Sequence, residues 1–298
     1  MKISFILPAI GKKPGKKYIG TWKMEPLTIA VLKALTPEGV ETELFDDRIE
    51  LIDYDTKTDL VSITVETYTA KRSYQIAEKF RARGIPVIMG GYHVTLCPEE
   101  AAEYCDAVII GNAETVWNDV IKDAENKTLK KIYHGGVGEY TVRPDKSIFK
   151  GKKYLPVSLV ETGRGCCHSC EFCSISKFYC SKYYCREHSL VVDDIKNSPI
   201  PPMQVQRITD DGKLIVTANR SKMSIGNFLV DDNLVADHNN AMSLFEDITP
   251  LGIKWAGQGT LSMAKNEKLL KAMKKSGCEI ILIGFESLNK ENLEQMNK

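Results

Sequence analysis

Glu161-Thr162-Gly163-Arg164-Gly165-Cys166-Cys167-His168-Ser169-Cys170-Glu171-Phe172-Cys173 follows the short apolar run Val157 to Val160. The run reads as a strand, which puts the cysteines on a glycine-led loop at its carboxyl end. Cys166, Cys170 and Cys173 have the spacing C-x3-C-x2-C. Three thiolates leave one iron of a four-iron cubane without a protein ligand, and an open iron lets a cluster act on a bound molecule. A cluster that only passes electrons is usually closed by a fourth cysteine. A structural zinc site at Cys170, Cys173, Cys180 and Cys185 is the rival reading, weakened by the short spacer between its two cysteine pairs. Cys167, Cys180 and Cys185 are read as non-ligands of the cluster, and His168 and His188 as solvated or structural.

Working outward, strands and helices alternate on both sides of this loop, so the fold class is α/β. Upstream, the candidate strands are Ile3 to Leu7, Glu41 to Phe45, Leu60 to Val65, Pro86 to Met89 and Ala107 to Ile110. Helices are expected over Pro26 to Leu35 and Ala70 to Arg83. The second of these carries Tyr74, Ala77 and Phe80 at helical spacing, with Gly84 as its stop. Gly90-Gly91 directly follows a strand and gives close-approach backbone at the edge where open α/β sheets bind ligands. Downstream, strands are expected at Val157 to Val160, Asn227 to Val230, Ile253 to Ala256 and Ile280 to Ile283. Helices at Ala236 to Ile248 and Asn266 to Ser276 give the order of a β/α barrel. The domains expected are 1–126, a polar glycine-rich linker at 127–153, and 154–298, the last interrupted by a hairpin insert at about 199–226 with an Asp-Asp-Gly turn.

The cysteine spacing, with Phe172 before the last cysteine, resembles the radical SAM family. The resemblance implies a 4Fe-4S cluster whose open iron chelates S-adenosylmethionine, and one-electron reduction that yields a 5′-deoxyadenosyl radical. Strand-end polar residues bind the cofactor in that family, which points to Asp232, Gln258 and Glu286. Met24 to Leu27, Phe45 to Arg48, Gly90 to His93, Pro98 to Glu100 and Gly111 to Glu114 are similar to the cobalamin-binding domain that precedes the barrel in one class of the family. The implied architecture is a Rossmann-like cobalamin-binding domain followed by a partial radical SAM barrel, four strands being counted where six are usual. The resemblance therefore also suggests a C-terminally truncated chain, able to assemble a cluster but turning over little.

Cobalamin is expected against Thr64, Gly90, Gly91 and Gly111. No protein imidazole is expected beneath it, because Pro8-Ala9-Ile10-Gly11-Lys12 stands where many cobalamin proteins have Asp-x-His-x-x-Gly. His93 is the one histidine placed to approach a ligand there. The alternative is a Rossmann-like domain that packs on the barrel and binds nothing. The resemblance implies methyl transfer to a poor nucleophile, with a tetrapyrrole-type oxidative cyclase and a non-catalytic metal- or cobalamin-binding relative as the other readings. It also implies a flavodoxin- or ferredoxin-type reductant and a small-molecule or peptide substrate.

Composition limits the remaining partners. Forty basic against thirty-nine acidic residues give a net charge of +1, so nothing in the bulk charge favours nucleic acid or an anionic membrane. No apolar run approaches the ~20 residues of a membrane span, and the N-terminus lacks the order of a secretory signal. Six of the nine cysteines crowd between Cys166 and Cys185, which suits metal binding in a reducing cytoplasm better than a disulfide framework.

Overall fold

The strands of the first half meet as one parallel sheet because helices carry the chain back over a sheet face after most of them, whereas Glu41–Asp46 runs to Leu60–Thr64 through a non-helical connection. A computed structural model describes residues 1–11, 21–136, 142–198 and 226–298, with the paired backbones of 204–208 and 214–218. The chain divides into two units, Met1–Lys153 and Tyr154–Lys298.

The first unit runs β1 (Lys2–Leu7), α1 (Leu27–Leu35), β2 (Glu41–Asp46), β3 (Leu60–Thr64), α2 (Ala70–Ala82), β4 (Val87–Gly90), α3 (Tyr92–Leu96), α4 (Pro98–Tyr104), β5 (Ala107–Ile110), α5 (Trp117–Glu125) and β6 (Ile132–His134). All six strands are parallel, in the order β2-β1-β3-β4-β5-β6. This order reverses direction between β1 and β3, the crevice where such sheets take ligands. Helix α2 buries Ala70, Ser73, Ile76, Ala77 and Phe80, one stripe at helical spacing, and ends where Gly84 takes a φ of +76°. Phe80 is fully buried beside Val61, Ile63 and Met89, so Phe80→Ala would cost roughly 3–5 kcal/mol.

The segment 127–153 is not the linker its composition suggests. It belongs to the first unit, where it supplies β6 and a 3-10 turn at Lys146–Phe149 that buries Phe149. Three residues are too few to show strand alternation, although Tyr133 alone of them turns inward. Gly135 is a close-packing residue, since a Cβ there would run into the Asn112 carbonyl.

The second unit runs β7 (Ser158–Val160), β8 (Gly163–Gly165), α6 (Ser174–Phe178), β9 (Tyr183–Cys185), α7 (His188–Asn197), β10 (Gln204–Ile208), β11 (Leu214–Ala218), β12 (Asn227–Leu229), α8 (His238–Ile248), β13 (Trp255–Gly259), α9 (Glu267–Lys275), β14 (Cys278–Ile283) and α10 (Lys290–Gln295). Strands β7, β12, β13 and β14 lie side by side and parallel, in chain order. Their core is built on the Phe245–Trp255 ring stack, 5.2 Å between centroids, with Leu244, Ile248, Leu269 and Met273 around it. Strands β10 and β11 pair antiparallel, Gln204 opposite Ala218 through Ile208 opposite Leu214. The Asp-Asp-Gly turn expected between them lies outside the described residues. Among the described residues β14 pairs β13 alone, and Ile280 and Leu282 on it are exposed.

Candidate cluster and cofactor site

The cysteine loop is closed at its base by a small sheet that the sequence reading does not contain. Strands β8 and β9 pair antiparallel, Gly163 opposite Cys185 and Gly165 opposite Tyr183, so residues 166–182 leave and return at one point. The glycines make this approach possible. A Cβ on Gly163 would collide with the Tyr183 ring, and Gly165 has a φ of +82° with the Lys182 carbonyl against the same position. At the far side of the loop Cys180 and Ser181 both take left-handed backbone, with φ of 52° and 54°.

Asp231, which the sequence reading does not assign, and Asp232, which it gives to the cofactor, hold this base to the sheet. Asp231 follows β12 and is buried; it accepts from Thr162 N at 2.7 Å, from Thr162 Oγ1 at 2.6 Å and from Tyr183 Oη at 3.2 Å. Burial pushes its carboxyl up to about 7, against the pull of the Thr162 bonds. The Tyr183 hydroxyl is raised by burial and by the neighbouring Asp231. Asp232 then accepts from Gly165 N at 2.9 Å, and the Asn233 Nδ2 lies 3.4 Å from the Cys166 sulfur. Inside the loop, Ser176 Oγ donates to the Cys170 and Cys173 carbonyls at 2.9 and 3.0 Å.

A cavity of about 440 Å³ opens beside the loop. Cys166, Cys170 and Cys173 line it together with Phe172, Asp232, Gln258, Glu286 and Lys298. The three sequence-derived thiolates, from the loop after β8, and the three sequence-derived polar residues, from the carboxyl ends of β12, β13 and β14, thus line one cavity. Cys167, Cys180 and Cys185 are exposed and do not line it. His168 lines the cavity from an exposed position, whereas His188 bridges Asp247 and Asn240, Nδ1 to Asp247 Oδ2 at 2.8 Å. Glu286 takes a φ of 56°, unusual for a residue with a side chain, and lies 3.7 Å from the Lys298 ammonium. Burial pushes the Cys170 thiol up, and the Lys298 ammonium pulls it back. Among the described residues no three His, Cys, Asp or Glu side chains converge on the position of one ion. A donor set of three half-exposed thiolates over an open cavity suits a cubane, whose cysteines bind separate irons, and leaves room for a ligand on the fourth.

In the first unit, Thr64 lies opposite Gly90 in the sheet, and Gly91 and Gly111 follow β4 and β5. All four lie on the carboxyl edge of the sheet, Thr64 beside the switch point and the glycines one and two strands further along. Their glycines differ in what requires them. Gly91 has a φ of +109° and a Cβ on it would lie 2.6 Å from the Val65 carbonyl oxygen; on Gly111, with φ of +82°, it would lie 2.9 Å from that of Gly135. Internal packing therefore accounts for both. On Gly90 a Cβ would meet Ile109 Cβ at 3.7 Å and the Ile109 carbonyl oxygen at 3.9 Å, both ordinary contacts. His93 is buried, with Nε2 2.9 Å from the Tyr74 hydroxyl. A flat backbone edge with one sterically unrequired glycine is compatible with a corrin laid against it.

Residues 22–121 match the family model of the B12 binding domain. The chain is 26% identical over 285 residues to the bacteriochlorophyllide d C-8(2)-methyltransferase of Chlorobaculum tepidum, covering 91% of this chain and 60% of that protein. It is 28% identical over 282 residues to the C-12(1)-methyltransferase of the same organism, covering 92% and 58%. The chain therefore spans about 60% of the length of these curated relatives. In fold it matches TsrM from Kitasatospora setae, a radical S-adenosylmethionine methyltransferase solved with cobalamin and a [4Fe-4S] cluster. There the TM-score is 0.70 at 14% identity, covering 98% of this chain and 60% of that one. No described helix is long and apolar enough to cross a membrane.

Proposed function

We propose, from the premise that this chain is a homologue of radical SAM methyltransferases with an N-terminal B12 binding domain, that it is a cobalamin-dependent radical SAM methyltransferase. The observation that carries the reading is the shared cavity, where three thiolates stand beside three strand-end polar side chains within a single unit. A cluster and S-adenosylmethionine bound at this cavity, and cobalamin bound by the first unit, would supply reductive formation of a 5′-deoxyadenosyl radical and a transferable methyl group.

The chain's own residues bind, orient and shield. Cys166, Cys170 and Cys173 hold the irons. Asp232, Gln258 and Glu286 offer oxygen acceptors to the amino group and ribose hydroxyls of the methionyl and adenosyl parts, and the Lys298 ammonium complements a carboxylate. Asp231 acts one step back, fixing Thr162 and Tyr183 and hence both ends of the thiolate loop. Thr64, Gly90, Gly91 and Gly111 would form the backbone edge against which a corrin is held. The work belongs in the cytoplasm, where thiols stay reduced, and draws single electrons from a flavodoxin- or ferredoxin-type donor. The substrate is a small molecule or peptide with an unactivated acceptor atom.

The test is anaerobic reconstitution with iron and sulfide, followed by S-adenosylmethionine and a low-potential reductant. Formation of 5′-deoxyadenosine, lost in Cys170→Ala, supports the reading. Stoichiometric zinc in place of iron, or no cleavage by fully loaded protein, would overturn it.

A further inference from the structure

Asp231, Asp232 and Asn233 are consecutive, and each reaches a different part of the cysteine loop's approach: Thr162, Gly165 and Cys166. The first two contacts are backbone anchors. The third differs in kind, because the Asn233 Nδ2 lies 3.4 Å from the Cys166 sulfur itself.

The direction of this amide is set by its other end. Asn233 Oδ1 accepts from Val235 N at 3.3 Å, which leaves the NH₂ group for the sulfur. A flipped amide would set its NH₂ against the Val235 N–H and an oxygen lone pair against sulfur, losing both bonds. Asn233 is also 1% exposed. Burying an amide costs desolvation that an apolar side chain of similar size avoids, unless its hydrogen bonds compensate. The Val235 bond needs only an acceptor and accounts for the oxygen. It leaves the nitrogen unexplained, and the sulfur is what the nitrogen meets.

We infer that Asn233 is a positioning residue that acts through Cys166, its side-chain N–H donating to the thiolate sulfur and so raising the potential at which the cluster accepts an electron. The physical cause is charge. An added electron raises the negative charge on the sulfurs, so a donor to sulfur stabilises the reduced state more than the oxidised one. A neutral amide does this without placing a cation against the cavity where a sulfonium cofactor must bind. The inference rests on the reading that Cys166, Cys170 and Cys173 hold a cluster.

The experiment compares the reconstituted 298-residue chain with Asn233→Asp and Asn233→Leu, without added S-adenosylmethionine. Iron and sulfide content, circular dichroism and the midpoint potential are measured for each. Asn233→Asp keeps an oxygen for Val235 N but replaces the donor by a carboxylate oxygen, which adds negative charge beside the sulfur; Asn233→Leu removes both polar ends without adding charge. The expected result is parental iron content with the reduction equilibrium shifted toward the oxidised cluster. The shift is at least threefold for Leu and about tenfold or more for Asp, tenfold being about 59 mV for one electron. Unchanged potentials at full iron content would overturn the inference. So would loss of iron from Asn233→Asp in a folded chain, which would make Asn233 a holder of the loop rather than a tuner. A parent chain that binds no iron would instead overturn the cluster reading on which the inference stands.

Discussion

The two units use the same device, the carboxyl ends of parallel strands, and fill it differently. In the first unit the buried carboxylates at these ends serve the frame: Asp46 is held by Arg48 at 2.7 and 2.9 Å, and Asp47 by Arg72 at 2.8 and 2.9 Å. Its special glycines, Gly91 and Gly111, are required by neighbouring backbone. In the second unit the buried polar residues Asp231 and Asn233 reach instead to a loop whose thiols are half-exposed beside a cavity. A strand-end glycine can thus be fully explained by packing, whereas polar side chains converging on under-shielded thiols have no packing explanation. The case for chemistry is accordingly carried by residues in the second unit and by family likeness in the first.

The sharpest way to break this contrast is to remove the thiolates. Changing Cys166, Cys170 or Cys173 to Ala should abolish the broad absorption near ~400 nm and most of the bound iron, since thiolates are the cluster's ligands. Cys180→Ala and Cys185→Ala should leave both within experimental scatter. Losses from Cys180→Ala or Cys185→Ala equal to those from Cys170→Ala and Cys173→Ala, with zinc retained by the parent, would make the loop a structural zinc site and erase the difference between the units.

The second test sharpens the role of Asp231 as an internal strut. Its carboxyl is pushed up to about 7 by burial, from an ordinary value of 3.8. The folded chain therefore holds a proton that the unfolded chain releases, and stability from this group is complete below about pH 4 and is lost as pH rises through about 7. Asp231→Asn cannot titrate, and its amide oxygen still accepts from Thr162. The difference in unfolding free energy between variant and parent should thus move in the variant's favour from pH 4 to pH 8, by at most about 4 kcal/mol at ~1.4 kcal/mol per pKa unit. Urea unfolding of the metal-free chains at four pH values measures it. A constant difference would mean that Asp231 stays ionised throughout.

Much of this was legible in the sequence, and what was not has identifiable causes. The apolar strands β1, β3 and β5 and the helix α2 lie within a residue or two of the positions expected, because apolar patterning is a local signal. The spacing points to the three thiolates and the family resemblance to Asp232, Gln258 and Glu286, and all six line one cavity. Strand β6 escaped because three residues show no period, and β8 because two of its three residues are glycine and its partner lies across the whole loop. The Asn233–Cys166 contact joins residues 67 apart, which no local pattern reports. Helix α5 was detectable: Trp117, Val120 and Ile121 form a buried stripe at i, i+3, i+4.

The smallest effects separate packing from ligand binding within the first unit. Gly91 and Gly111 both take left-handed backbone, and a Cβ on either would press on a carbonyl oxygen of the neighbouring strand-end loop. Gly91→Ala and Gly111→Ala should therefore each lower stability by roughly 1–3 kcal/mol, the usual range for strain of this kind. Gly90 has neither constraint, since its Cβ position meets Ile109 at van der Waals distance. Gly90→Ala should change stability by no more than about 0.5 kcal/mol. If a corrin lies on this edge, the added methyl group stands between it and the backbone, and cobalamin affinity should fall about tenfold, or ~1.4 kcal/mol. Calorimetric titration of the folded Gly90→Ala variant measures this directly, and electron paramagnetic resonance of the Co(II) form reports whether a histidine nitrogen binds from below. Undiminished affinity would place the corrin elsewhere. No cobalamin binding by the parent would leave the first unit a packing domain, with all of the chemistry in the second.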